Sequence, residues 1–147
     1  MEKRKEDKLL AIRDVIKTES SRVNYLRGLI RIAESDKNKI SVEEGFIYKI
    51  ADIIGASYSE IWQAEVSAET DDVTVISFAT KQEKTLFLMQ ALYMCWLDDD
   101  YSDAEREEII AIGNELGIDQ SEIEKLESWV RQGIAWMRDG AELIGLN

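Results

Sequence analysis

Residues 36–61 read DKNKISVEEGFIYKIADIIGASYSEI and residues 98–123 read DDDYSDAEREEIIAIGNELGIDQSEI, one pattern written twice at an offset of 62 residues without a gap. Eight of the 26 paired positions are identical: Asp36 and Asp98, Glu43 and Glu105, Ile47 and Ile109, Ile50 and Ile112, Gly55 and Gly117, and Ser59, Glu60 and Ile61 with Ser121, Glu122 and Ile123. Isoleucines at helical spacing followed by a glycine mark an amphipathic helix that ends in a left-handed cap. Packing and helix ends account for those positions, whereas the shared spacing from Asp to Glu falls in an interhelical loop.

Working outward from the repeat, helical signals fill the chain. Leu9, Ile12 and Ile16 form the apolar stripe of a basic N-terminal helix, about residues 2–17. Ser20 and Ser21 offer N-caps for a second helix through Tyr25, Leu26, Leu29 and Ile30. Ser41 with Glu44, Ser57 with Glu60, Thr80 with Glu83 and Ser102 with Glu105 stand in capping-box register. Asp119 and Glu122 start a last helix, which Gly133 and Gly140 are expected to bend or end. Residues 86–97 are apolar apart from Gln90, so this segment should be the central helix, surrounded by the others. Only residues 73–78 look extended, and one short segment makes no sheet. The reading is an all-α bundle of about seven helices, one domain over residues 1–147, with halves at roughly 21–68 and 83–130.

Composition agrees with it: 147 residues with 45% apolar content suffice for one core, and proline is absent. The longest uncharged run, residues 85–97, is too short to span a bilayer, and the first residues lack a signal peptide's apolar stretch, which points to the cytoplasm. The net charge of −12 is uneven: residues 1–31 carry nine basic and five acidic side chains, a local balance of +4 that leaves −16 on the rest. An acidic body repels phosphate backbones, so nucleic acid is not expected there. The basic N-terminal helix is the one place suited to weak contact with a membrane surface or an acidic partner. With no histidine, one cysteine in an apolar run and no glycine-rich phosphate loop, nucleophilic triads, zinc hydrolases and nucleotide-binding enzymes lack their parts. Non-catalytic binding is the expectation.

The strongest chemical cluster runs Asp98-Asp99-Asp100-Tyr101-Ser102-Asp103-Ala104-Glu105. Carboxylates at the C-terminal end of a helix oppose its dipole and repel one another, each close pair costing on the order of 1 kcal/mol. A divalent cation such as Ca²⁺, Mg²⁺ or Mn²⁺ would remove both penalties, with Asp98, Asp100, Ser102 and Glu105 as donors. Asp36, Asn38 and Glu43 form the weaker set in the first loop, interrupted by Lys37 and Lys39. In the competing reading Ser102, Asp103 and Glu105 simply start the next helix, where negative charge is favourable. The loop is no EF-hand: with Asp98 as position 1, position 6 is Asp103 and position 12 is Ile109. If the cation set is right, Asp98→Asn or Glu105→Gln should abolish ion-dependent stabilisation and leave the fold intact.

An apolar helix, then Asp98-x-x-x-Ser102-x-x-Glu105, an amphipathic helix and Leu116-Gly117-Ile118 resembles the TerB-like family, known from tellurite-resistance proteins and from some co-chaperones. Asp36, Glu43, Ile54 and Gly55 match in the first half, and the resemblance covers roughly residues 21–130. It implies a helical domain of two pseudo-twofold halves whose acidic loops engage metal ions, in proteins linked to metal and oxidative stress. The glycine usual after the motif Asp is Asp99 here and Lys37 in the first loop, and the first loop's serine is displaced to Ser41.

Near the C-terminus Leu126, Trp129, Gly133, Trp136, Met137, Gly140 and Ile144 follow a helical stripe. Either this helix closes the bundle and buries its rings, the expected outcome, or Trp129, Trp136 and Met137 form a surface for a protein partner, in a monomer or a homodimer. Exposure of the two tryptophans discriminates between these.

Overall fold

A computed structural model of the chain describes residues 12–36, 40–69, 76–97 and 100–146, apart from the side chains of 40–44, 68 and 69. Among these residues there are seven helices and no strand: α1 (Ile12–Val15), α2 (Glu19–Ser35), α3 (Ile40–Ile54), α4 (Tyr58–Glu69), α5 (Lys81–Cys95), α6 (Asp103–Leu116) and α7 (Gln120–Leu143). The all-α expectation holds. The extended segment expected at 73–78 falls largely outside the described residues, and its described end, 76–78, is irregular.

Local chemistry sets most helix ends. Ser57, Thr80 and Ser102 each accept a hydrogen bond from the backbone N–H three residues on, while Glu60, Glu83 and Glu105 reach back to the cap N–H. Asp119 caps α7 through the Glu122 N–H. Gly55 and Gly117 take φ of +73° and +75° behind α3 and α6, a region where a Cβ would clash with the backbone. Arg13 closes the C-terminal end of α3 by donating to the Ile53 and Asp52 carbonyls. With Ile16 buried, the described end of the basic N-terminal segment is therefore docked on the bundle.

Two expectations about helix ends fail. α2 is capped by Thr18, whose hydroxyl accepts from the Ser21 N–H, because the Ser21 side chain is drawn inward to Glu83. α7 passes through Gly133 and Gly140 as one helix of 24 residues. Neither glycine has a left-handed φ, so each stays helical and merely lacks a side chain.

α5 occupies the centre and packs against α1, α2, α3, α6 and α7, while α2 packs against α3, α4, α5 and α6. Tyr25 and Phe87 meet edge to face at 5.5 Å, and Phe78 joins both rings. Gly28 makes room for this cluster, since a Cβ there would lie 2.4 Å from Phe87 Cζ. Full burial of such side chains stabilises by about 1.5–3 kcal/mol each. Polar clamps tie the layers: Arg31 of α2 bonds Glu108 and Glu115 of α6, Arg22 of α2 holds Glu60 of α4, and Arg106 of α6 holds Glu127 of α7.

Candidate functional site

The second acidic loop starts where α5 ends at Trp96, whose ring lies 5.6 Å from that of Tyr101. Asp98 lies outside the described residues, and Asp100 is exposed. Ser102 and Glu105 are turned to each other. Glu105 is 0% exposed, and its Oε1 accepts from the Ser102 backbone N–H at 3.0 Å and from the Ser102 hydroxyl at 3.1 Å. Both side chains thus build the N-terminal cap of α6, as the competing reading has it. Beside them, burial first and then the Glu127 carboxylate push the Tyr101 phenol up. In the first loop Asp36 is half-buried just past α2, Asn38 lies outside the described residues, and Glu43 sits in the first turns of α3 with its side chain outside them. Among the described residues, no three His, Cys, Asp or Glu side chains are disposed to hold a metal ion.

The C-terminal tryptophans carry the other candidate. Against the expected burial, Trp129 is 59% and Trp136 77% exposed, and Met137 is exposed as well. The physical reason is the choice of face. α7 turns Ile123, Glu127, Val130 and Ile134 to the bundle, and the tryptophan stripe lies roughly 100° further round the helix. Glu127 is accommodated on the inner face because Arg106 meets its carboxylate with two N–H groups.

Between α5 and α7 this leaves a groove of about 350 Å³. Trp129, Gly133, Trp136 and Met137 wall one side, and Met89 and Tyr93 of α5 wall the other. Phe46 of α3 backs Tyr93, ring to ring at 5.6 Å. The lining is apolar except for Gln90, with no charged side chain in it. Such a surface binds by desolvation and ring packing. The α5 wall was not anticipated from sequence: an almost wholly apolar helix gives no sign of which side its neighbours leave uncovered. The i to i+4 spacing of Met89 and Tyr93 was the signal available.

No helix among the described residues is long and apolar enough to cross a membrane. Compared with known proteins, the chain matches no family model, no curated protein and no solved structure.

Proposed function

We infer that the chain is a non-catalytic, TerB-like bundle that works as a protein interaction module through the outer face of α7 and the adjoining edge of α5. One observation carries this: two tryptophans on a well-formed helix, 59% and 77% exposed, stand over an uncharged groove. Leaving such rings in water forfeits burial worth a few kcal/mol, and large aromatics on a rigid element are the commonest binding hot spots.

The two-half arrangement is supported by matched helix starts: α5, α6 and α7 begin 62, 63 and 62 residues after α2, α3 and α4. Packing pairs correspond as well, with α2 on α3 and α4 mirrored by α5 on α6 and α7. Two contacts join residues at the repeat offset of 62, Ser21 with Glu83 and Tyr25 with Phe87. A cation role would draw first on Asp98 and Asp100, because the Ser102 hydroxyl and Glu105 Oε1 serve the helix cap.

The test is affinity capture from the source organism by the immobilised full chain and by a Trp129→Ala/Trp136→Ala variant. A protein retained by the wild type and lost by the variant, at unchanged melting temperature, is the expected result. Identical retention by both would contradict the assignment.

A further inference from the structure

The occupant of this face follows from its own sequence, given the interaction reading above. Along α7, Leu126, Trp129, Gly133, Trp136, Gly140 and Leu143 recur at alternating spacings of three and four residues. This is the heptad seam by which one helix packs on another. Every member except Leu126 is exposed, and the stripe covers 18 residues, about 27 Å of helix.

The stripe is complementary to itself only when reversed. Set antiparallel to a second α7 with the twofold axis between Gly133 and Trp136, Trp136 lies over Gly133 of the second copy and Trp129 over Gly140 of the second copy. Leu126 meets Leu143. Each large ring faces a position without a side chain, and a Cβ at Gly133 or Gly140 would meet nothing within 4 Å, so both hollows are open. In parallel register tryptophan would face tryptophan and glycine would face glycine, leaving bulk and void in alternate layers.

The flanking row is compatible with the same arrangement. The position that flanks the seam away from the bundle is filled in turn by Lys125, Gln132 and Asp139. About the axis between Gly133 and Trp136, Gln132 comes nearest to Asp139 of the second copy, twice by symmetry, and no like charges are opposed. Arg131 and Arg138 point away from the seam, and the pair of faces carries no net charge although each chain carries −12. Area suffices too. The exposed parts of two tryptophans per copy supply on the order of 700 Å², and Met137, Leu143, Ile144 and the α5 edge take the sum towards the ~1,200 Å² of a specific interface.

We propose that α7 binds α7 of a second copy of this chain, antiparallel, to form a twofold homodimer with Trp129 and Trp136 in the glycine hollows of its partner. The test is sedimentation equilibrium of the full chain, the wild type compared with Trp136→Glu and Gly140→Leu. Both positions are exposed and a side chain at Gly140 meets nothing within the chain, so melting temperatures should stay within a few degrees. Expected are a wild-type dimer, a monomeric Trp136→Glu, and a dissociation constant raised about tenfold by Gly140→Leu, which fills the hollow that Trp129 of the second copy needs and would instead tighten a parallel pair. A wild type that stays monomeric at every concentration overturns the second copy as occupant. A dimer that survives Trp136→Glu, or that Gly140→Leu leaves unchanged or tightens, overturns the antiparallel geometry. Failure here is separable from failure of the interaction reading, which is decided by tryptophan-dependent capture of a different protein.

Discussion

The Ser21 hydroxyl donates to Glu83 Oε1 at 2.7 Å, joining the first turn of α2 to that of α5. The same carboxylate accepts the Ala79 and Thr80 backbone N–H groups through its other oxygen, at 2.9 and 3.0 Å. One buried side chain thus holds a helix cap, a loop and a helix crossing together.

Glu83→Ala should therefore cost about 3 kcal/mol, since three donors lose their acceptor and one of them, the Ser21 hydroxyl, is buried. Ser21→Ala, which removes a single bond, should cost about 1 kcal/mol. Urea unfolding of the two variants checks the order. Equal and small losses would mean that the carboxylate does not organise this crossing.

Glu105 is predicted to act on stability without regard to divalent ions. Glu105→Ala strips the acceptor from the Ser102 N–H and hydroxyl and should cost about 2 kcal/mol, both in EDTA and with Ca²⁺ or Mg²⁺ present. Glu105→Gln keeps an acceptor and should cost less. A loss seen only when the ion is present would assign Glu105 to a cation site instead.

Such caps were legible in the sequence because their chemistry is local: Ser57, Thr80, Ser102 and Asp119 act within three residues, and Gly55 and Gly117 answer to their own φ. What stayed hidden was non-local. Ser21 leaves its place as a cap because Glu83 sits 62 residues away. On α7 two stripes compete for the core, Ile123, Glu127, Val130 and Ile134 against Leu126, Trp129, Gly133 and Trp136, and the first carries a carboxylate among its branched aliphatic side chains. Arg106 decides for the first by neutralising Glu127, a pairing between two helices that periodicity within one cannot express.

Acid should act through Glu60. Its burial raises the pKa, but hydrogen bonds from Arg22 and from the Ser57 backbone, with the Arg22 charge, outweigh this and hold the carboxyl below its ordinary 4.5. A carboxylate more acidic folded than unfolded adds stability that is complete above the unfolded value and is lost as the pH falls through 4.5 towards the folded one. Unfolding free energies from pH 6 downward, an interval of about two units around the glutamate range, should fall more steeply for the wild type than for Glu60→Gln. Parallel profiles would refute the clamp.

The aromatic centre yields opposite predictions for neighbours. Gly28→Ala forces a methyl against the Phe87 ring, which Tyr25 and Phe78 hold in place, and should cost about 2 kcal/mol. Tyr25→Phe should gain about 1 kcal/mol, because the Tyr25 hydroxyl is buried with no hydrogen-bond partner among the described residues. Thermal unfolding distinguishes the two, and a gain from Gly28→Ala or a loss from Tyr25→Phe would contradict this packing.

Acrylamide quenching of a Trp62→Phe/Trp96→Phe variant, whose fluorescence comes from Trp129 and Trp136 alone, tests the interaction face most directly. In dilute monomer the two rings should emit near the wavelength of free tryptophan and be readily quenched, then shift blue and become protected as the chain associates. Blue-shifted, quencher-resistant emission already present in the dilute monomer would mean that the chain covers its own tryptophans, and the α7 face would not be a binding surface.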